Sequence, residues 1–124
     1  MSLSPAQGTF LASASRTTTQ TQDEQSNRAG YKGIRVVLDM TVVTASPSVT
    51  LTIQCKDRTS GEWHTLLSGA AVTGDTTNVY TLHPGAPVTT NVSANAQLGS
   101  AWRIVVTAGN ANAGTYSVGY ELLP

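Results

Sequence analysis

The sequence predicts an all-β protein: a single antiparallel β-sandwich of the jelly-roll or immunoglobulin-like kind, preceded by an extended N-terminal arm. The first indication is a two-residue alternation of apolar and polar residues between Gly33 and Lys56, interrupted only around Ser46-Pro47. The second is a series of further short apolar segments separated by Gly, Pro, Asn and Ser, which gives about seven or eight strands at sandwich spacing. No segment has a convincing helical pattern.

The first two strands carry the clearest pattern. Their apolar residues alternate with Thr, Gln and charged residues, and such a period is typical of a sheet that is buried on one face only. The apolar positions are Ile34, Val36, Leu38, Met40 and Val42 in the first strand, and Val49, Leu51, Ile53 and Cys55 in the second. Cys55 is the only cysteine and falls on this apolar side, so we expect an unreactive thiol in the core.

The later elements follow from weaker alternation and from turn residues. Residues 57–61 predict a hairpin connection with a positive φ at Gly61. Residues 86–100 are rich in Pro, Asn and Ala and predict a crossing between strands, with one short strand inside it. The predicted later strands cover residues 62–67, 79–82, 88–92, 102–107 and 116–122.

The predicted core is a layer of large apolar side chains between the two sheets. Each of its members lies on the apolar side of its strand's alternation. The residues expected to be buried there are Leu38, Leu51, Ile53, Trp102, Ile104 and Val118.

Residues 1–32 form the predicted arm, and residues 33–124 the sandwich. The arm is composed mainly of Ser, Thr, Gln, Asn and Ala, so it cannot bury enough apolar area to order by itself. We expect it to order against its own domain, another subunit or a larger assembly, and residues 16–22 are candidates for an edge strand. A chain that begins near Gly30 is expected to fold but to lose attachment.

Composition excludes several classes of partner. The 124 residues include seven Lys or Arg and seven Asp or Glu, without a basic cluster of the kind that nucleic acids and anionic lipids require. The N-terminal residues lack the pattern of a secretory signal, and no apolar run has the roughly 20 residues that span a bilayer. We therefore expect a protein that binds neither nucleic acid nor membrane and that is made and used without crossing a membrane by a signal of its own.

No residue pattern for catalysis, a metal or a cofactor is found. Zinc sites need about four Cys, His or carboxylate ligands, whereas the sequence has one Cys and two separated His residues. His64 lies near Glu62 and Asp57 but has no nucleophile motif beside it, and His83 precedes a Pro-Gly turn. Both histidines are interpreted as surface or turn residues. Among the aromatic residues, only Trp63 and Tyr80 are expected to be exposed contacts.

A set of short motifs resembles a group of small virion proteins encoded by tailed bacteriophages. The resemblance covers about residue 12 to the C-terminus and depends on the order and spacing of many weak motifs. They are Arg16-Thr17-Thr18, residues 23–27, residues 42–51, Lys56-Asp57, Ser60-Gly61, Pro84-Gly85, Trp102-Arg103, residues 108–112 and residues 115–119. Relatives are expected to have a small residue such as Gly in place of Cys55.

The resemblance implies a structural component of the phage particle that is not an enzyme: a capsid decoration or cement protein on the outer surface of the lattice of the major capsid protein. Such a protein is made in the host cytoplasm and becomes part of the virion. A homo-oligomer is expected, first of all a trimer at local threefold positions, with monomers and dimers as alternatives. The sequence offers as candidate partner-binding residues Leu3, Phe10, Leu11, Arg16, Arg58 and Trp63.

Two other roles stay open. One is a structural protein of the tail, neck or fibre base, and the other is a carbohydrate-binding module that uses Trp63 or Tyr80. If the arm is not the attachment element, docking falls to the loops at residues 58–63 or 86–100.

Overall fold

The computed structural model describes residues 6–124, which contain ten strands and no helix. The strands are β1 Ala6–Arg16, β2 Gln20–Thr21, β3 Gln25–Ser26, β4 Gly33–Val42, β5 Val49–Lys56, β6 Trp63–Ser68, β7 Thr77–Leu82, β8 Ser93–Ala94, β9 Ala101–Ala108 and β10 Gly114–Leu123. The first sheet has the order β1-β10-β4-β7-β8, and the second β2-β9-β5-β6 with β3 also paired to β9. The predicted all-β sandwich is confirmed.

The core lies between the two sheets and is built by the alternation seen in the sequence. In β4 the even-numbered residues from Ile34 to Met40 point inward, and in β5 the odd-numbered residues from Val49 to Cys55 do so. All six residues predicted for the core are buried, with exposed fractions of 0 to 1%. The Trp102 indole packs edge-on against Tyr120, with ring centroids 5.1 Å apart.

The connection between β5 and β6 is the predicted hairpin. The Asp57 N–H donates to the Glu62 carbonyl at 2.8 Å, and the Gly61 N–H donates to the Asp57 carbonyl at 2.7 Å. Gly61 has a φ of 78°, a conformation in which a side chain would be strained. The prediction of a positive φ at Gly61 is confirmed.

The N-terminal segment is built into both sheets. β1 pairs antiparallel with β10 from Ala6↔Leu122 to Arg16↔Gly114, and the chain then crosses to the second sheet, where β2 and β3 pair with β9. From residue 6 onward the predicted arm therefore lies on its own domain, one of the three alternatives left by the sequence. Within residues 16–22, Arg16 is the last residue of β1, and Gln20 and Thr21 pair with β9 as an edge strand.

Buried hydrogen bonds fix this segment in place. The Gln22 side-chain oxygen accepts from the Ile104 N–H at 2.9 Å, and the Asn27 amide donates to the Tyr31 and Gly99 carbonyls at 2.8 and 3.2 Å. Gln22 and Asn27 are only 7% and 8% exposed. The expectation that residues before Gly30 add little to stability does not agree with these contacts, because their loss leaves buried polar groups unpaired.

The crossing at residues 86–100 differs from its prediction. Residues 88–92 form a turn rather than a strand, since the N–H groups of Val92 and Ser93 both donate to the Thr89 carbonyl at 3.0 Å. The short strand β8 follows at Ser93–Ala94 and runs parallel to β7, in an otherwise antiparallel fold. The expected count of seven or eight strands was too low, because β1 to β3 were not counted.

Cys55 is buried in the core, as predicted, and the Gly99 N–H donates to its sulfur at 3.2 Å. Burial raises the pKa of the thiol, which lowers the fraction of reactive thiolate at neutral pH. We expect a disulfide reagent such as DTNB to modify the folded protein at least about a hundredfold more slowly than the urea-unfolded chain. Equal rates in the two states would show that Cys55 is accessible.

Candidate functional site

The residues expected to anchor the arm to a neighbour mostly contact their own domain. Phe10 and Leu11 are partly buried and pack against the core. The Arg16 guanidinium donates to the carbonyls of Ala12, Ala14 and Tyr116 and lies 5.0 Å from the Tyr116 ring centroid. Leu3 lies outside the described residues. Phe10, Leu11 and Arg16 therefore hold β1 against its own sandwich.

Trp63 begins β6 and forms the centre of a small patch on the outer face of the second sheet. The Arg103 guanidinium lies 4.2 Å from the ring centroid of Trp63, and the Lys56 ammonium lies 6.0 Å from it. Lys56 also forms an ion pair with Glu24 at 2.9 Å. We call Trp63, Arg103, Lys56 and Glu24 the Trp63 patch. Arg58, the other candidate on this hairpin, donates to the Ser100 hydroxyl at 3.0 Å.

The Trp63 patch has two cations and one carboxylate, and each of these charged groups has a polar partner. Arg103 donates from Nε to the Gln54 side-chain oxygen at 2.8 Å, and the hydrogen bond from Lys56 lowers the pKa of Glu24. Nearby, hydrogen bonds from Ser60 and Thr59 lower the pKa of Asp57. Such exposed pairs contribute little to stability, but they hold the indole in one orientation.

Tyr80 is not the exposed contact that the sequence predicts. Its side chain is only 4% exposed, and burial raises the pKa of its hydroxyl. Gly69 provides the space for it, because a Cβ on Gly69 would lie 2.6 Å from the Tyr80 ring. The alternation within β7 could have predicted this burial. Tyr80 is two residues from the apolar Leu82 and therefore shares its inward face, whereas Val79 points outward.

A second surface lies at the side of the sandwich where β7 and β8 border the first sheet. Within residues 6–124, four large hydrophobic side chains are well exposed: Val42 at 44%, Val79 at 46%, Val88 at 73% and Val92 at 46%. Three of the four belong to this side. Val79 and Val92 line one groove of about 370 Å³, and Val88 lies in the loop that leads to Val92. We call Val79, Val88 and Val92 the valine edge.

The backbone of β7 is open beside these valines. The Met40 N–H donates to the Thr76 carbonyl, and the Thr81 N–H donates to the Val92 carbonyl, both at 3.0 Å. Because antiparallel ladders alternate their direction of bonding, Thr77 and Val79 direct their N–H and C=O groups to the same side as Thr81, away from β4. In the described part of the chain, β8 covers β7 only at Thr81 and Leu82.

The valine edge thus combines exposed apolar side chains with unpaired backbone donors and acceptors. Ala70 and Ala71 also line the groove, and their small side chains leave room in it for another polypeptide. Exposed apolar clusters beside a strand edge are typical of sites where another protein docks. The sequence indicated this surface only through the alternative that the loop at residues 86–100 docks. Val88 and Val92, two apolar residues in a segment without clear strand alternation, could have indicated an exposed apolar surface there.

The described residues offer little else for chemistry. No group of three or more His, Cys, Asp or Glu side chains within 6–124 is arranged to hold a metal ion. His64 is exposed on β6, and both ring nitrogens of His83 lie at hydrogen-bond distance from carbonyls, Pro84 at 2.8 Å and Pro124 at 2.9 Å. In the same part of the chain, no helix is long and apolar enough to cross a membrane.

Comparison with known proteins gives matches at the level of structure. No family model matches the chain, and no curated protein does. Four solved chains match, two of which come from the structures of infectious bursal disease virus, Gx strain and Gt strain. Each is 12% identical, with TM-scores of 0.48 and 0.42, and the match covers 95% of this chain. The chain spans about a third of the length of those two proteins, 31% and 32%.

Proposed function

We propose that this protein is a structural component of a virus particle, and specifically a capsid decoration protein of the tailed-phage kind that its sequence resembles. In this proposal it binds the outer surface of the major capsid protein lattice and stabilises the head. Attachment is by the valine edge, with the Trp63 patch as a second contact on the neighbouring strand β6.

The valine edge is the observation that carries the proposal. Three valines are exposed on β7 and in the loop before β8, and two of them, Val79 and Val92, line one groove beside an open strand. Apolar surface that stays in water costs about 25 cal/mol for each Å², so a contiguous exposed cluster is expected to be covered in the assembled state. A capsid surface is such a partner, since one shell offers many equivalent positions.

The weakness of a single contact does not argue against this role. The valine edge is small, so one copy is expected to bind with modest affinity. If subunits are joined to one another on the lattice, the avidity of the joined copies can exceed the affinity of a single copy by a factor of about 10² to 10⁴. Many weak polar and apolar contacts then retain a complete layer.

The test is binding to purified shells of the encoding virus that lack this protein. We expect Val92→Asp and Val88→Asp to weaken co-sedimentation with shells at least about tenfold, since each places a charge in an apolar contact. Val42→Asp is the matched control, because Val42 at 44% and Val92 at 46% are equally exposed but only Val92 belongs to the edge. Equal binding by all three variants would reject the valine edge as the attachment site.

Location in the particle separates the proposal from its rivals. Cryo-electron microscopy should reveal a regular array of copies on the shell. A ring or a few copies at the tail would support the tail, neck or fibre-base role instead. Glycan binding that is lost in Trp63→Ala but kept in His64→Ala, an exposed neighbour on the same strand, would support a carbohydrate-binding module.

A further inference from the structure

The outer face of the first sheet has opposite charges at equal distances on either side of its centre. On β4 the outward residues are Arg35, Val37 and Asp39, in that order, while Ile34, Val36 and Leu38 point into the core. Positions 35 and 39 lie about 13 Å apart along the strand, with an apolar residue midway between them. A surface with a cation, an apolar centre and an anion in line is complementary to itself when turned end for end.

The strands beside β4 place uncharged residues next to Val37, at the centre of the face. Val37 pairs with Val79 on one side and with Gly119 of β10 on the other, and Gly119 in turn pairs with Thr9. Gly119 has no side chain, and a shallow groove of about 470 Å³ lies beside Val37 on the side of β10 and β1, next to Arg35 and Glu121. We call Arg35, Val37, Asp39 and Gly119 the β4 face.

We propose that two copies of this chain pack through their β4 faces, with a twofold axis that passes over Val37, perpendicular to the strands. The two β4 strands then run antiparallel across the contact. Val37 lies over Val37 of the second copy, and Arg35 lies over the second copy's Asp39, twice. A second copy is the occupant for which the face has the matching charges, since an isologous contact requires one patch to be self-complementary.

Both charged side chains are available for this contact. The Arg35 side chain is 47% exposed, and its Nη1 forms an ion pair with the Glu121 carboxylate at 3.6 Å. The other guanidinium donors are available to a second carboxylate. Asp39 accepts from the Thr77 hydroxyl at 3.0 Å and has further acceptor positions. In the proposed geometry Glu121 lies over Ser117 of the second copy, because β10 also crosses β10, so no carboxylate lies directly over another. The Arg35 guanidinium then lies between Glu121 and the second copy's Asp39 and pairs with both.

The direction of the twofold axis determines where the two valine edges lie in the dimer. A rotation about an axis that runs across the strands preserves the direction from β1 to β7. Val79 pairs with Val37 on the same outer face, so it lies over Val79 of the second copy, and Val88 and Val92 are the members of the valine edge that stay open, on the same side of the dimer in both copies. The contact itself does not depend on how the protein attaches to a shell. Only a few side chains of each copy meet in this contact, so the free dimer is expected to be weak.

Sedimentation equilibrium of the full chain from about 10 µM to 1 mM tests the proposal. We expect a monomer–dimer equilibrium within this range. Arg35→Asp and Asp39→Arg should each raise the dissociation constant at least about tenfold, and the double variant, in which the charges are exchanged, should restore it to within about threefold. Arg28→Asp, an exposed charge elsewhere, should have no effect. A monomer throughout, a trimer, or a double variant weaker than both single variants would overturn the proposal.

A second measurement is independent of the charge variants. Val37→Cys places a thiol at the proposed axis, and packed sheets lie about 10 Å apart. A bis-maleimide of about that length should convert the Val37→Cys protein into a covalent dimer. Thr107→Cys, exposed on the outer face of the second sheet, should give none. Equal cross-linking of the two variants would show that the β4 face is not the contact.

Discussion

A chain that begins at Gly30 is expected to lose the cooperative fold of the domain. The truncation removes β1, whose partner β10 is central to the first sheet, and removes β2 and β3 from the edge of β9. Phe10 and Leu11 no longer cover the core, and buried partners such as the Ile104 N–H lose their acceptors. The measurement is a thermal melt followed by circular dichroism. A cooperative transition within about 5 °C of the full chain would show that the N-terminal strands are dispensable.

A single substitution tests the same contact without a deletion. Gln22→Ala leaves the Ile104 N–H without its acceptor in the interior, which is expected to cost about 1 to 3 kcal/mol. Gln25→Ala is the matched control, because the Gln25 amide donates only to the nearby Asp23 carbonyl on an exposed part of the chain. Urea unfolding should give a clear loss for the first variant and less than about 0.5 kcal/mol for the second.

Truncation of the core gives the other large effect. Ile104→Ala and Leu51→Ala are each expected to lower the free energy of unfolding by about 2 to 5 kcal/mol, because each leaves a cavity between the two sheets. Both side chains are 0% exposed and lie on neighbouring strands, β9 and β5. For a domain that is only marginally stable, either loss is a large part of the total.

Val42→Ala is the matched control for these two variants. Val42 is also an aliphatic residue of a long strand, but it is 44% exposed. Its truncation removes little buried surface and should cost less than about 1 kcal/mol in the same urea experiment. Losses of the same size for all three variants would mean that burial does not control the energetics of these strands.

The parts of the fold that the sequence predicts are those with strong alternation. β4, β5, β9 and β10 each have large apolar residues on one face, and their positions and buried faces agree with the prediction. β1 was missed because its inward positions are small or widely spaced. Gly8 is one of them, and a Cβ there would lie 2.4 Å from the Tyr120 ring. A strand that makes room for a neighbour's aromatic ring gives no apolar signal of its own.

The candidate site was harder to predict for a related reason. The sequence pointed to Trp63 and Arg58, whose residue types are common in interfaces, and the structure places both at the β5–β6 hairpin. It did not point to Val79, which resembles a core residue until the inward partner is known to be Tyr80. Whether Val79 is exposed depends on the length of the neighbouring strand, and β8 pairs with only two residues of β7.

The pairing of β1 with β10 also has a consequence for synthesis of the protein. β10 lies between β1 and β4, so the earliest described strand must wait for the latest one before its backbone groups are paired. Contacts between residues about a hundred positions apart close slowly, since the loop entropy is lost before they form. Folding is therefore expected to be completed only after β10 has left the ribosome, and a nascent chain stalled within β10 should remain sensitive to protease along β1.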